Sequence, residues 1–430
     1  AHLNKKLAAI SIVAIFLAII ICQAFYSKPV ENDATLSEEA QTTIPNKNPS
    51  IAVLPFENLS EDLNQEFLTD GITEDIITDL SRVSNIRIIS SSATGRYKGK
   101  DITPQQVGEE LTVDYILQGN IRRIGDLLRV NAQLVDAKTG FNHWAKRYDR
   151  KVSEIFAIQD EVTSSVVGAF NIDLSEYEKK GLAHVTKLNI KAYDYFQEGQ
   201  RAAIEHTKDS YQRAIASYLK AIDTDESYGR AYGAMGYVMA IQFRRGWTDT
   251  PRETLDRSLE FAKTGVKLDN TIPQTYWSLG YVYLMRKELD KAEEAVATAI
   301  KIAPGHSDAY GLQALISNNR GEPEKAIEYA RKGMDLNPFY TWDYLYNLGR
   351  AYHNLKKYDE AVDFLEQAKE RNPNAITIVQ HLTAAYYRAG LVDEAEWQVE
   401  EMLALNPNLT ISHIRKSIPI SNEEVLADFI

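Results

Sequence analysis

The sequence predicts three parts in series: an N-terminal transmembrane helix, a small α/β domain with a mixed sheet in the order βαβαβββα, and an all-α superhelical solenoid. Three observations predict this. Residues 7–26 are almost all apolar, residues 51–166 mix strand-like alternation with helical spacing, and Pro304, Pro338, Pro373 and Pro407 stand 34, 35 and 34 residues apart. A chain of 430 residues exceeds what one hydrophobic core can hold, so several cores are expected.

Composition limits the function classes. Hydrophobic and charged fractions of 44% and 25% are those of a folding chain. A formal net charge of -12 opposes a phosphate-backbone partner, because nucleic-acid affinity rests on Lys and Arg neutralising phosphates. No nucleic acid is therefore expected to bind this chain. The one cysteine, Cys22, rules out an intramolecular disulfide.

The run Leu7–Tyr26, at ~1.5 Å rise per residue, matches the ~30 Å hydrocarbon thickness of a bilayer. Lys5 and Lys6 precede it, while Glu31 and Asp33 follow with only Lys28 between. Positive flanks stay cytoplasmic, so residues 1–26 read as a cytoplasmic tip and single-pass inner-membrane anchor, with the bulk periplasmic. A cleaved signal peptide is the alternative, since two lysines, an apolar run and Cys22-Gln23-Ala24 imitate its three regions. Residues 27–49 are polar and aperiodic and read as a flexible linker.

Residues 50–172 form the predicted α/β domain. Ile51–Phe56 is a strand-type run, and Ile72, Ile76, Leu80 and Val83 recur at helical spacing before a second strand at Ile86–Ile89. Thr103, Pro104 and Gln106 mark a helix start: Thr as N-cap, Pro in the first turn, Gln reaching back as a capping box. Strands at Tyr115–Ile124, Leu127–Asp136 and Phe141–Asp149 follow, joined by turns at Gly125-Asp126 and Lys138-Thr139-Gly140. In the middle strand Leu128, Val130, Ala132 and Leu134 point inward, and Arg129, Asn131 and Gln133 outward. A closing helix starts near Ser153 and carries Ile155, Ile158, Val162 and Val166 on one face.

These residues carry a resemblance. Ile51-Ala52-Val53-Leu54-Pro55-Phe56, Gly71-Ile72-Thr73-Glu74-Asp75, Tyr97-Lys98-Gly99, Gln118-Gly119, Ala145-Lys146-Arg147-Tyr148-Asp149 and Phe156-Ala157-Ile158-Gln159-Asp160 resemble the TolB-amino-terminal-like domain. The resemblance covers roughly residues 50–170. It implies a sensing or docking domain set between a transmembrane helix and tetratricopeptide (TPR) repeats. In that family the cytoplasmic part is a class III adenylate cyclase or a winged-helix DNA-binding domain.

The proline spacing is that of TPR repeats. Tyr276, Leu279-Gly280 and Tyr283 lie in a first helix and Ala292 and Ala299 in a second; Leu348-Gly349, Tyr352, Ala361, Leu365 and Ala368 repeat the pattern. Ala326 and Ala395 hold the same place in two further units, the former with Gln313-Ala314 in place of Leu-Gly. Degenerate units centre on Gly199, Ala214 and Ala221, and on Met235-Gly236 with a longer connection through Gly246, Trp247 and Pro251. About six units fill residues 190–410, and residues 411–430 read as a C-terminal capping segment.

No catalytic, cofactor-binding or metal-binding residue is assigned, and the chain reads as non-enzymatic. The eight histidines are scattered, no HExxH occurs, and one cysteine cannot build a thiolate site. His143 and His353 read as surface or packing residues. Gly95-Arg96-Tyr97-Lys98-Gly99-Lys100-Asp101 departs from a phosphate loop in glycine spacing and in having Asp for Ser or Thr, and reads as a turn. Arg122, Arg123, Lys146, Arg147, Arg150 and Lys151 read as a solvated sheet face. The paired metal-binding aspartates of class III cyclases are not seen.

TPR superhelices bind proteins or peptides on the concave side, lined by outward residues of each first helix. Carried onto this chain, that rule gives Arg230 and Tyr237, Trp277 and Tyr281, Asn318 and Asn319, then Tyr346, Arg350, His353 and Asn354, and last Gln380, Tyr387 and Arg388. Packing between units is the competing reading for the aromatic ones. Three functions follow: a membrane-anchored sensory or protein-interaction module, the regulatory part of an adenylate cyclase or winged-helix regulator whose output domain lies outside this chain, and a periplasmic scaffold released near Ala24.

Overall fold

The computed structural model describes residues 48–60, 66–182, 189–373, 375–405, 409–412, 415, 420 and 422–429. The expected anchor at 7–26 lies outside them. Among the described residues no helix is long and apolar enough to cross a membrane. The chain from Asn48 onward clusters as one compact unit.

The sheet is built on β1 (Ser50–Val53), which pairs in parallel with β3 (Arg87–Ile88) and with β4 (Tyr115–Ile124). Antiparallel pairing continues from β4 to β5 (Leu127–Asp136) and β6 (Asn142–Lys151), giving the order β3-β1-β4-β5-β6. A two-residue β2 (Glu57–Asn58) lies parallel to the far end of β4. Every residue of β1 is buried because helices cover both faces of this strand. Ile51 and Val53 join Ile72, Ile76 and Leu80 of α1 (Glu66–Leu80) and Ile158, Val162 and Val166 of α4 (Ile155–Ala169). Ala52 meets Val107 and Leu111 of α3 (Pro104–Leu111) on the other face.

Local chemistry sets the ends of these elements. Thr103 caps α3 with the expected capping box: its Oγ accepts from the Gln106 amide at 3.3 Å, and Gln106 Oε1 accepts from the Thr103 amide at 3.0 Å. Leu128, Val130, Ala132 and Leu134 of β5 are buried as their alternation requires. The first strand is shorter than Ile51–Phe56 because Pro55 cannot donate to the ladder. A short helix α2 (Ser91–Thr94) was not legible, and a 3-10 turn at Val152–Glu154 precedes α4.

After a linker helix α5 (Glu176–Leu182), twelve helices stack as six pairs. They are α6 (Ile190–Ile204) with α7 (Lys208–Thr224), α8 (Gly229–Arg245) with α9 (Pro251–Leu268), and α10 (Pro273–Met285) with α11 (Leu289–Ile302). Then come α12 (Ser307–Arg320) with α13 (Pro323–Leu336), α14 (Trp342–Asn354) with α15 (Tyr358–Arg371), and α16 (Ile376–Ala389) with α17 (Val392–Leu405). Small residues sit at the crossings. A Cβ at Gly236 would lie 2.8 Å from the Ser258 carbonyl oxygen and 2.9 Å from the Ala262 nitrogen, so α8 and α9 touch through backbone. The repeat shows in the charges too: Arg286 pairs with Asp256 and Glu288, and Arg320 with Asp290 and Glu322, each residue displaced by one period. A final helix, α18 (Glu423–Phe429), ends the described chain.

Candidate functional site

The inner face of the array is where its first helices converge, and the chain itself occupies much of it. Helix α1 turns its apolar stripe to the sheet and its other stripe, Gly71, Asp75 and Thr78, continued by Arg82 in the turn that follows, to the array. Asp75 is the centre of that seam. Its carboxylate accepts from Tyr193 Oη at 2.8 Å and Gln159 Nε2 at 3.1 Å, and is paired with the Arg230 guanidinium. Gln274 Nε2 donates to Thr78 Oγ1 at 2.9 Å, Arg82 Nη1 to the Thr271 carbonyl at 2.6 Å, and the Gly305 amide to the Ser81 carbonyl at 3.0 Å. A Cβ at Gly71 would sit 2.3 Å from Tyr193 Oη and 2.4 Å from Gln197 Nε2, so any side chain there would have to displace both side-chain ends from the seam. Farther along, Asn337 Nδ2 donates to Ser92 Oγ at 3.0 Å and Arg96 covers the Phe339 ring at 3.9 Å. The α/β domain therefore spans the loops of the first four units.

Between α1 and the first three units lies a cavity of about 270 Å³. Arg230, Tyr237 and Trp277 line it, together with Glu74 of α1. Tyr237 stands 4.9 Å from the Trp277 ring and 5.0 Å from that of Tyr281. Trp277 Nε1 donates to the Asp308 carbonyl at 3.1 Å. Burial raises the Glu74 carboxyl above its ordinary range, with the Arg230 charge opposing. Burial likewise pushes the Tyr237 phenol well above its usual value.

The middle of the inner face is a buried polar ladder between units. Asn318 Nδ2 donates to the Asn347 carbonyl at 2.9 Å, Arg350 Nη2 to Asn319 Oδ1 at 2.8 Å, and Asn354 Nδ2 to the Asn318 carbonyl at 3.3 Å. Tyr346 Oη lies 3.3 Å from His381 Nδ1, and His353 rests 5.4 Å from the Tyr358 ring. Phe429 of α18 stacks on His381 at 4.2 Å, and Asn422 reaches the Arg320 carbonyl, so the C-terminal segment covers this part of the face. Burial, with Arg350 adding to it, holds the His381 imidazole well below its ordinary value.

The last unit carries a second groove of about 600 Å³, lined by Gln380, Tyr387 and Arg388 with Val399, Met402 and Phe429. Tyr387, 64% exposed, and Arg388 are the only two of the thirteen sequence-assigned residues that are exposed. Seven are buried: Tyr281, Asn318, Asn319, Tyr346, Arg350, His353 and Gln380. Arg230, Tyr237, Trp277 and Asn354 are half-buried. All thirteen lie on first helices. For Trp277, Tyr281 and Tyr346 this burial bears on the competing reading of packing between units; the burial of Asn318, Asn319 and Arg350 was not legible, because it rests on hydrogen bonds between neighbouring units.

The other singled-out segments are absorbed by packing. Gly95–Tyr97 is a 3-10 turn, and Lys98 bridges Glu66 at 2.8 Å and Asp70 at 2.6 Å. Lys146 and Arg150 pair with Glu161 and Arg147 with Asp149 on the exposed sheet face. His143 stacks on Phe170 and bonds to the Ala169 carbonyl. Among the described residues no group of three or more His, Cys, Asp or Glu could hold a metal ion.

Residues 278–341 and 342–375 match tetratricopeptide-repeat family models. Residues 278–375 of the helical array are thus TPR repeats, and the array as a whole is solenoid-like. Residues 46–165 match the model described as the HilA/YgeH-like transcriptional regulator, second domain. The chain is 35% identical over 260 residues to "Putative adenylate cyclase 3" of Rhizobium meliloti, covering 60% of this chain and 44% of that protein. It is 27% identical over 281 residues to the TPR repeat-containing protein MJ1428 of Methanocaldococcus jannaschii, covering 57% and 49%. The chain thus spans about half or less of the length of these curated relatives. The crystal structure of TTC0263, a TPR protein of Thermus thermophilus, is similar over 46% of this chain and 99% of that one, at 17% identity and a TM-score of 0.37.

Proposed function

We propose that this chain is a non-catalytic, membrane-anchored sensory or protein-interaction module that takes a protein or peptide on the inner face of its TPR array. The observation that carries the reading is the open groove of the last unit, where Gln380, Tyr387 and Arg388 stand beside an apolar wall. Aromatic and Arg side chains over such a wall are the usual energetic anchors of protein interfaces. Anchoring through residues 7–26, a cytoplasmic N-terminus and a periplasmic bulk belong to the proposal, supported by the apolar run and its charged flanks. So does the TolB-amino-terminal-like character of residues 50–172, supported by the quoted residues that form β1, α1, β4 and β6.

The test is a displayed peptide library selected on the chain, with selected peptides measured on Tyr387→Ala, Arg388→Ala and, as an outer-face control, Trp397→Ala. Affinity is expected to fall at least about tenfold in the first two and to stay unchanged in the third. Binders indifferent to both inner-face changes would sink the reading. Reporter fusions after Ile430 test the orientation, an inside terminus overturning it.

A second reading is favoured by the 35% identity to the adenylate cyclase relative: the chain is the regulatory part of a longer protein whose output domain is a cyclase. Cyclic AMP measured in cells expressing the complete reading frame decides this, an unchanged level removing the cyclase output.

A further inference from the structure

We propose that the cavity between α1 and the first three TPR units binds an organic cation, recognising an ammonium, guanidinium or quaternary ammonium group. The cavity is separate from the open groove of the last unit, so the inference stands independently of the peptide reading.

The walls favour positive charge. Tyr211, Tyr218, Tyr237 and Trp277 line the cavity with Phe196, whose ring already carries the Arg230 guanidinium at 5.1 Å, and aromatic faces attract cations, more strongly where water is excluded. Tyr237 and Trp277 meet at 51° with centroids 4.9 Å apart, forming two sides of a corner. A volume of about 270 Å³ accommodates an alkylamine or a choline-sized group.

The floor supplies the counter-charge. The acidic residues near Glu74 on α1 are each engaged: Asp70 by Lys98, Asp79 by Arg82, and Asp75 by Arg230, Tyr193 and Gln159. Of these α1 carboxylates only Glu74 lines the cavity, and among the described residues it accepts no hydrogen bond. Glu74 is half-buried, and burial disfavours its charged form; an entering cation would stabilise the carboxylate at that position. Asp308 adds a second carboxylate at the exposed rim. Arg230 also lines the cavity, but Asp75 neutralises it. His206 and His306 are held below their ordinary values by burial and bring no opposing charge at neutral pH.

The test is isothermal titration calorimetry of the full chain in detergent micelles with agmatine, phenethylamine and choline, and with 3,3-dimethylbutan-1-ol as the neutral counterpart of choline. At least one cation is expected to bind saturably with Kd below about 1 mM, and the neutral alcohol at least about tenfold more weakly. Glu74→Gln should weaken the cation at least about tenfold while the circular-dichroism spectrum stays unchanged, and Glu176→Gln on exposed α5 should have no effect. A capped Lys or Arg tripeptide binding more tightly than the free amines assigns the cation to a polypeptide, and the reverse order to a free small molecule. No saturable binding of any cationic probe at about 10 mM, or wild-type affinity in a folded Glu74→Gln variant, overturns the proposal.

Discussion

Replacing Asp75 by Asn keeps the side chain's shape and removes its charge at the seam between the α/β domain and the TPR array. The Asp75 and Arg230 side chains retain only 11% and 14% of their exposure, so the guanidinium loses its counter-ion where water reaches it poorly. Breaking one side of a buried pair costs about 3–5 kcal/mol. The residual exposure, and the hydrogen bonds from Tyr193 and Gln159 that the amide oxygen can still accept, put this case near 3 kcal/mol. Arg230→Met alone leaves Asp75 with those two donors and should cost about 2 kcal/mol. The double variant removes both charges, so its cost should fall below the sum of the singles by about 2 kcal/mol. Urea unfolding of the four proteins, with amide exchange followed across Glu66–Leu80, measures this coupling and locates it. A coupling under about 0.5 kcal/mol, or no faster exchange in α1 of the Asn variant, would refute a seam held at this pair.

Three further outcomes are expected. Gly236→Ala should destabilise the second unit by about 1–3 kcal/mol, since its Cβ meets backbone of α9 rather than a movable side-chain tip; thermal unfolding of the variant checks this. Burial raises the Asp343 carboxyl to about 6, so its contribution favours the folded state fully below the unfolded value near 3.8 and is lost as pH rises through about 6; Asp343→Asn should flatten the stability profile in that window. His381 is depressed, so its contribution is present above the ordinary value of 6.5 and is lost as pH falls through its lowered folded value. Acidification should therefore speed amide exchange in residues 422–429, which Phe429 holds against this ring, and His381→Gln should abolish that pH dependence.

Much of the fold was legible because its signals are local. The Thr103–Gln106 box needs four residues of sequence, the β5 alternation seven, and the proline period only counting. The strand β2 was not legible, since two residues carry no period. The site divides in the same way. The thirteen assigned residues lie on first helices, where their register follows from helical spacing. Their surroundings depend on contacts such as Asp75 with Arg230, 155 residues apart, and Asn422 with Arg320, 102 apart. No local pattern encodes such a separation.

Helix α1 shows how a familiar pattern conceals a second role. Leu68, Ile72, Ile76 and Leu80 fall on one stripe and enter the sheet core, while Gly71, Asp75 and Thr78, with Arg82 in the turn just beyond, fall on the other, which by pattern alone belongs to solvent. That stripe instead meets Tyr193, Arg230, Gln274 and Thr271. A polar stripe covered by complementary donors is specific in register, because sliding α1 by one residue would strand Asp75 and Arg230 without partners. An apolar stripe of the same area would tolerate such a slip. The array and the sheet are thus coupled through one helix whose two faces answer to different partners. The cavity beside Glu74 is lined by both, so the cation proposed for it would touch the α/β domain and the array together.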